Sequence, residues 1–468
     1  MRISVRSLFA IIFVCVFLVF NIVFLLNYIS DDILVFVSFF IIFLLSVYNI
    51  VKYVFLKDIK FFELTFWFFT YLFLFFAPYL QTYYKVFPNT LPYNPDNVVI
   101  TNIVVIIFLI IYQLTRKFST KKCRHEYNIK DKFVDIEKAV FYFIFIINVI
   151  TLIFVIKNIY INKSFLTNRG LTFNYDSSIS LLMTKFLFNL PVFNLIYLSV
   201  NKSKFKRIEW NISFLLSIIT FLLIQNPLTV GRNQFGVTYL SIFLIFYNKR
   251  IKNFELLLIY LIAFIMFPII GQIVHNRNVI VALNNLNFNY LDSFKSLDFD
   301  AWANIMATIL YVKQYGITYF NQLLGSILFF IPRKFWIDKP ISTGHLIGNY
   351  LIEHYDMWFN NLSNPLISEG YINFGIIGVI LFALLLGIFN KIIDNFKKEN
   401  ISVYVFVSVY LIFLLRGDLM SSFAYLIGLI CAIYIFPYII NHIIPKFNHK
   451  HNNYKEESRS MKNAYTTN

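Results

Sequence analysis

Long apolar segments separated by short polar loops repeat along the whole chain. Each segment approaches the roughly 20 residues that an α-helix needs to cross the hydrocarbon core of a membrane. The predicted spans are 8–28, 33–50, 61–80, 97–115, 138–160, 178–200, 210–225, 233–247, 254–274, 371–390, 401–415 and 422–444. The pattern therefore predicts an all-α polytopic membrane protein with about twelve transmembrane helices.

Lysine and arginine are distributed unevenly between the loops. Every second loop is rich in these residues, as in RKFSTKKCRHEYNIKDK and KIIDNFKKEN, and the loops between them are poor in them. In membrane proteins the cytoplasmic loops carry the excess of positive charge. With an even number of spans, the pattern predicts that both termini are cytoplasmic.

The spans divide the chain into four predicted regions. Residues 1–274 form transmembrane helices 1–9, residues 275–370 form one long loop on the far side of the membrane, and residues 371–444 form helices 10–12. Residues 445–468 are a polar tail, predicted to be disordered. A loop as long as 275–370 is usually functional. The loop contains an apolar segment, 320–332, that is too short to span the membrane, which favours an interfacial or re-entrant position. An apolar loop beside the membrane also suits a lipid-linked substrate better than a soluble one.

Composition supports the membrane class and narrows the partners. Hydrophobic residues make up 59% of the chain, charged residues only 14%, and the mean hydropathy is +0.67; soluble proteins carry roughly 25% charged residues. The net charge of +17 is concentrated in the basic loops, which indicates contact with anionic lipid headgroups rather than with nucleic acid. The three cysteines, and the histidines and carboxylates, have no spacing typical of a metal site, so neither metal nor cofactor is predicted.

Arginines on the far side of the membrane, where positive charge is disfavoured, are the first candidate functional residues. Arg232 lies in VGRNQFG, Arg333 in IPRKFWIDKP and Arg416 in LLRGDLMSS, each at the end of an apolar segment. A guanidinium group is always charged and its fork of donors matches phosphate oxygens in pairs. The three are therefore predicted to bind pyrophosphate. The alternative is that they reach lipid headgroups or pair with Asp338 and Asp418.

Two further residues are candidates for proton transfer. Glu369 stands immediately before an apolar span, where a carboxylate is costly unless it is paired or functional. His345 follows Ser-Thr-Gly in a turn and is the second candidate general base. For Glu369 the alternative is a structural salt bridge. Additional candidate substrate-binding residues are Arg277, Lys339, Asp418 and His354.

The same region carries a family resemblance. IPRKFWIDKP, then a turn with glycine and histidine, then SEGYINFGIIGV, together with VGRNQF and LLRGDL, resemble the oligosaccharide repeat unit polymerases, the O-antigen polymerases of the Wzy family. Arg333 and Gly344 are separated by ten residues, which looks like the Arg-x10-Gly pattern of periplasmic loops in that family. A second copy of the pattern is absent, because Ser180 stands at that offset from Arg169.

The resemblance implies a fold, an activity and a location. The expected fold is that of lipid-linked, GT-C-like glycosyltransferases in the bacterial inner membrane. The expected reaction transfers a growing glycan from undecaprenyl pyrophosphate to a lipid-linked repeat unit at the periplasmic face, without a metal. The arginines would neutralise the pyrophosphate, and Glu369 or His345 would act as the base. Expected partners are the undecaprenyl-pyrophosphate-linked oligosaccharide, membrane lipids, a flippase and a chain-length regulator.

Three other functions are compatible with parts of the pattern. The related O-antigen ligase shares the topology and the chemistry, although SEGYINFG favours the polymerase. A lipid-linked oligosaccharide flippase or another transporter would place ionisable groups near the middle of the membrane. Here the charges gather at one face beside a long loop, which favours catalysis. A purely structural scaffold would not need an ordered set of outer arginines.

Overall fold

The computed structural model describes most of the chain as helices. It covers residues 5–118, 138–161, 178–200, 202, 205–226, 232–248, 250–275 and 290–435, and these residues contain no β-strand. The predicted all-α class is therefore confirmed for this part of the chain. The predicted tail, 445–468, lies outside the described residues.

Seventeen α-helices follow one another in the described ranges. They are α1 Val5–Asn27, α2 Ile33–Val54, α3 Phe61–Phe69, α4 Ala77–Tyr83, α5 Pro95–Phe118, α6 Lys138–Ile161, α7 Ser178–Val200, α8 Arg207–Ile224, α9 Arg232–Tyr247, α10 Asn253–His275, α11 Tyr290–Ser293, α12 Ala301–Tyr315, α13 Asn321–Ile327, α14 Thr343–Tyr355, α15 Leu366–Glu399, α16 Ile401–Arg416 and α17 Leu419–Ile430. The π-helical segment Thr70–Phe76 joins α3 to α4, and a second one, Cys431–Ile435, follows α17.

The length and composition of these helices identify a helical membrane protein. Six helical segments in the described residues are long and apolar enough to cross a membrane. They are Val5–Asn27, Ile33–Val54, Phe61–Tyr83, Pro95–Lys117, Arg207–Ile224 and Leu366–Lys397. Five shorter apolar helices accompany them. Each predicted span coincides at least in part with a helix, but the total of twelve spans stays a prediction.

The chain folds into two compact units, and each combines segments that are distant in sequence. The first unit consists of Met1–Cys123 and Phe243–Ala424, and the second of Arg124–Ile242 and Tyr425–Asn468. In the second unit α6, α7 and α8 pack together. Hydrogen bonds between side chains join these helices: Asn148 donates to Ser217 Oγ, and Asn194 donates to Asn148 Oδ1, each over 2.8 Å. Such bonds are a usual means of joining helices in a membrane.

The core of the first unit surrounds the continuous helical segment Phe61–Tyr83. Apolar residues occupy all faces of this segment, which is typical of a helix enclosed by other helices. Trp67 and Phe66 are almost fully buried, and they pack against the ring of Tyr112 on α5. The helices α5, α15 and α16 complete this core.

A group of polar side chains joins α3, α5 and α15 where α5 ends. Arg116 donates from Nε to Glu63 Oε1 over 2.6 Å and from Nη2 to Asp394 Oδ2 over 2.7 Å. Tyr112 and Asn390 also donate to Glu63, which is 1% exposed. We call these five residues the inner cluster. The basic loop that follows α5 places it on the predicted cytoplasmic side.

The long predicted loop contains helices that pack on the first unit. The apolar stretch 302–312 lies in α12, whose first half is buried. Trp302 on this helix donates to Asn102 on α5 over 2.9 Å. In the short apolar stretch 320–332, only the seven residues of α13 are helical. The described residues of this loop, 290–370, therefore belong to the first unit, and those of α12 contribute to its core.

α15 contains a sharp break within the predicted span 371–390. The sequence predicted one uninterrupted helix there. Phe374 and Gly375 have non-helical dihedral angles, and Gly375 has a φ of 60°, which favours glycine. The backbone at Gly370 meets that at Gly378, where an added Cβ would overlap the Gly370 carbonyl oxygen. The residues before the break thus fold back against those after it. We call the segment 366–373 the short arm of α15.

The break is stabilised by partners for the backbone groups it exposes. The carbonyl of Ile372 accepts hydrogen bonds from the N–H and the hydroxyl of Thr318, over 2.8 and 3.1 Å. The Asn373 side chain accepts from the N–H of Leu323 at the start of α13 and donates to the Glu369 carbonyl. Helix ends leave such groups unsatisfied, so these contacts fix the position of the short arm.

Candidate functional site

Glu369 lies on the short arm and is fully buried. Its Oε2 accepts a hydrogen bond from the Thr343 hydroxyl over 2.9 Å, and its Oε1 accepts one from the N–H of Leu419 over 3.3 Å. These contacts join α14, α15 and the start of α17 at one point. Both carboxylate oxygens therefore bind protein donors, so the side chain is suited to positioning these helices.

Asp418 holds the first residues of two helices. It accepts from the N–H of Gly344 over 2.7 Å, near the start of α14, and from the N–H of Ser421 over 3.3 Å, in α17. Helix N-termini present unpaired N–H groups and favour negative charge. Burial raises the pKa of the Asp418 carboxyl, and these hydrogen bonds oppose that shift. This predicted substrate-binding residue is thus engaged within the protein.

His345 belongs to a chain of hydrogen-bonding groups at the start of α14. Ser342 is the N-cap of this helix, a position that favours serine. Its hydroxyl lies 2.9 Å from His345 Nδ1 and also bonds to the Asp418 carboxylate. His345 is partly exposed. The arrangement orients the imidazole through Nδ1, and Nε2 is the nitrogen that can exchange a proton with a ligand.

Arg416 is joined to the start of α12. Its Nη2 donates to Asp300 Oδ1 over 3.0 Å and to the Leu297 carbonyl over 2.7 Å. Asp300 is buried and also accepts from Ser363 and Asn304. Arg416 therefore pairs with Asp300. The alternative partner suggested by the sequence was Asp418. The Nε of Arg416 is buried and has no hydrogen-bond partner among the described residues.

Arg333 and Lys339 bind main-chain carbonyls in the segment before α14. Arg333 is exposed and donates to the carbonyls of Lys339 and Pro340, over 2.7 and 3.3 Å. The ammonium group of Lys339 is buried and donates to the carbonyls of Phe329 and Ile331. Burial, and then the nearby Arg333 guanidinium, lower the pKa of Lys339. Of the two, only Arg333 presents its charge at the surface.

Of the three remaining predicted residues, one lies away from this point, and the side chains of the other two are outside the described residues. His354 lies at the other end of α14, where its Nε2 is 2.8 Å from the Tyr315 hydroxyl. Arg232 begins α9, but its side chain lies outside the described residues, and so does all of Arg277. The structure thus brings Glu369, His345 and Asp418 together around the N-terminus of α14.

Two glycines allow this region to pack closely. An added Cβ at Gly344 would overlap the Leu362 carbonyl, and one at Gly348 would overlap the Asn360 carbonyl. The segment 360–362 therefore lies directly against the backbone of α14. Gly344 is the glycine of the Arg-x10-Gly pattern, and this contact gives it a physical role. Only a residue without a side chain leaves room for the Leu362 carbonyl at this position.

Sequence reasoning missed three residues of the site. Asp300, Ser342 and Thr343 each supply a contact described above, but no motif in the sequence singled them out. A signal existed for two of them: Asp300 and Ser342 stand directly before helices, where such residues typically cap the N-terminus. Among the described residues, no group of three or more His, Cys, Asp or Glu side chains could hold a metal ion.

The first unit also contains an apolar cavity of about 660 Å³. It lies between α1, the segment Phe61–Tyr83, α10 and α11, and its walls are almost wholly apolar. Aromatic rings dominate the lining, including Phe17, Phe20, Phe76, Phe264 and Phe294. A cavity with such walls suits a hydrocarbon chain and offers no partners to a polar ligand.

Comparison with known proteins gave no match. No family model, no curated protein and no solved structure matches the chain. The motifs therefore provide a resemblance only, and the function is argued from the chemistry of the site.

Replacing Arg416 with lysine is expected to lower the free energy of unfolding by about 1.5–3 kcal/mol, the contribution of one charge-assisted hydrogen bond. Lysine keeps the charge beside Asp300 but lacks the rigid fork that also reaches the Leu297 carbonyl. Thermal unfolding of the purified protein in detergent measures the change. Arg333→Lys is the matched control, because Arg333 is exposed; its expected loss is at most about 1 kcal/mol. Equal losses in both variants would contradict a special role for the Asp300 contact.

Proposed function

We propose that this protein is a glycosyltransferase that polymerises the repeat units of a bacterial surface polysaccharide. It transfers the growing glycan from undecaprenyl pyrophosphate to a lipid-linked repeat unit at the periplasmic face of the inner membrane. The helical membrane architecture and the site at the start of α14 support this proposal. So does the order of the motifs around Arg333, Gly344 and Glu369.

The observation that carries the proposal is the alignment of Asp418, Ser342 and His345. In the proposed reaction, Nε2 of His345 accepts the proton of the acceptor sugar hydroxyl. The hydroxyl oxygen then forms a bond to the anomeric carbon of the donor glycan, and the bond from that carbon to the pyrophosphate oxygen breaks. The electron pair leaves with the lipid pyrophosphate. Ser342 and Asp418 hold the imidazole and stabilise its positive charge.

Glu369 receives a positioning role in this proposal. The sequence made it the first candidate base, ahead of His345. Because Glu369 is buried and both its oxygens accept hydrogen bonds, His345 is the better placed of the two. Glu369 holds Thr343 and Leu419, the neighbours of Gly344 and Asp418, and so keeps the start of α14 against the loop that carries Asp418.

The arginines and the cavity supply the other requirements of the reaction. The exposed guanidinium of Arg333 can bind the pyrophosphate, and an oxygen acceptor would satisfy the buried Nε of Arg416. The apolar cavity of the first unit can hold part of the polyprenyl chain.

The test is the polysaccharide pattern of a strain that lacks this gene. A polymerase mutant is expected to retain a lipid core that bears one repeat unit. The wild-type gene should restore the full ladder, whereas His345→Ala should not, because a positioned base contributes about a hundred- to ten-thousandfold. Asp292→Ala, an exposed change outside the site, is the control and should restore the ladder fully.

The other outcomes separate the alternatives. A deletion strain with no attached repeat units would identify a ligase, and one that accumulates unflipped precursor would identify a flippase. An unchanged ladder in the deletion strain would refute all three functions. A full ladder with His345→Ala would remove this residue as the base while leaving the polymerase activity in place.

A further inference from the structure

We propose that the outward face of α14, with the exposed aromatic residues near its C-terminal end, binds the sugar residues of an oligosaccharide. The proposal rests on the proposed function, because it places the glycan of the same reaction. Besides Ser342 and His345 of the reacting centre, the face includes Asn349 and Glu353, which no motif in the sequence connected with them.

A line of polar side chains runs along α14. Ser342, His345, Asn349 and Glu353 are spaced by three, four and four residues, so they share one face of the helix. The opposite face, which includes Gly344 and Gly348, packs against residues 360–362. From Ser342 to Glu353 the helix rises roughly 16 Å, a distance that matches a short oligosaccharide.

These side chains suit a ligand rich in hydroxyl groups. Imidazole, amide and carboxylate offer hydrogen-bond donors and acceptors in fixed planes. Asn349 is already oriented, because its Oδ1 accepts a hydrogen bond from Asn360 Nδ2 over 2.9 Å. Its own amide N–H groups are therefore held in one direction at the surface, where they can donate to a sugar hydroxyl.

Aromatic rings lie near the C-terminal end of the same helix. Tyr315 is 52% exposed, and Trp358, three residues beyond α14, is 69% exposed. The Tyr315 ring is fixed by its hydroxyl, which bonds to His354, and by its contacts with the rings of Tyr311 and Tyr350. Large exposed aromatic side chains that are held in place mark binding surfaces. A flat ring matches the apolar C–H face of a sugar, while neighbouring polar groups bind its hydroxyls.

Charge argues against a lipid surface as the occupant of this face. Glu353 and Asp356 are exposed and lie within five residues of Trp358 in the sequence, and carboxylates repel anionic headgroups. A different segment is suited to lipid: Phe335 and Ile337 are 79% and 84% exposed and follow the cationic side chain of Arg333. The face of α14 is therefore assigned to a sugar chain. His345 lies near its beginning, so a glycan bound there would present one end to the proposed base.

The test measures binding of an oligosaccharide to the purified full-length protein by isothermal titration calorimetry. The probe is the oligosaccharide released by mild acid from the lipid-linked precursors of the host strain. We expect Trp358→Ala and Asn349→Ala each to raise Kd about tenfold or more. Trp358→Phe should retain part of the affinity. The matched control is Phe335→Ala, which removes an even more exposed ring from the other segment and should leave Kd unchanged.

Two results would overturn the assignment, and neither depends on turnover. The first is a wild-type protein that does not bind the probe, and the second is an unchanged Kd in folded Trp358→Ala and Asn349→Ala proteins, with folding checked by thermal unfolding. If the wild type binds, the variants bind weakly, and yet deletion of the gene leaves the polysaccharide ladder unchanged, the glycan site stands and the polymerase function fails.

Discussion

Glu63→Ala is expected to lower the free energy of unfolding by about 3–5 kcal/mol, the usual cost of removing one partner of a buried ion pair. Glu63 is 1% exposed and accepts hydrogen bonds from Arg116, Tyr112 and Asn390. Without the carboxylate, each of these three donors loses one acceptor, and among the described carboxylates only Asp394 stays paired with Arg116. Thermal unfolding of the detergent-purified protein is the measurement.

The matched control for Glu63 is an exposed ion pair. Asp292 is half exposed and pairs with Lys295 over 2.9 Å. Pairs of this kind contribute roughly 0–1 kcal/mol, so Asp292→Ala should have little effect. Glu63→Gln should fall between the two, because it keeps one acceptor oxygen and loses the charge. If Glu63→Ala were no more destabilising than Asp292→Ala, the inner cluster would not hold the three helices together.

Gly378→Ala is expected to destabilise the protein by about 3 kcal/mol and to abolish the glycan ladder. The added methyl group would overlap the carbonyl of Gly370, which is backbone and cannot rotate away. Overpacking typically costs about 1–3 kcal/mol, and a backbone obstacle places this change at the upper end. The short arm would move, and Glu369 would separate from Thr343 and Leu419. Thermal unfolding and complementation of the deletion strain measure the two effects.

Gly236→Ala is the matched control for Gly378. It lies inside α9, and no atom of another described segment lies within 4 Å of an added Cβ. Alanine favours a helix over glycine by about 1 kcal/mol, so this variant should be as stable as the wild type or more stable. If both variants behaved alike, the contact between Gly370 and Gly378 would not constrain the fold.

Helix positions could be predicted from the sequence because long apolar runs are a strong signal. The predicted span 33–50, for example, corresponds to α2, Ile33–Val54. The break in α15 could not be predicted in the same way, because apolar residues continue through it and one glycine in a helix is common. What determines the break is the approach of Gly370 to Gly378 and the partners supplied by Thr318 and Asn373, and these are tertiary contacts.

For the candidate site, the sequence indicated residue types but not their partners. His345, Glu369 and Asp418 were chosen from their chemistry, and they do lie together. Their contacts depend on how distant segments approach one another: Arg416 pairs with Asp300, 116 residues away. A local pattern contains no information on such a pairing. For the same reason the sequence did not show that the Lys339 ammonium is buried against carbonyls.

The inner cluster also sets an order of events during biosynthesis. Arg116 follows Glu63 by 53 residues, and Asp394 follows Arg116 by 278 residues. At about 5–20 residues per second, the ribosome delivers Arg116 roughly 3–11 s after Glu63, and Asp394 only after a further 14–56 s or so. The nascent chain must therefore keep the Glu63 carboxylate paired with Arg116 alone while the intervening helices are inserted. Asp394 joins only after α15 has been synthesised, so the second ion pair of the cluster forms long after the first.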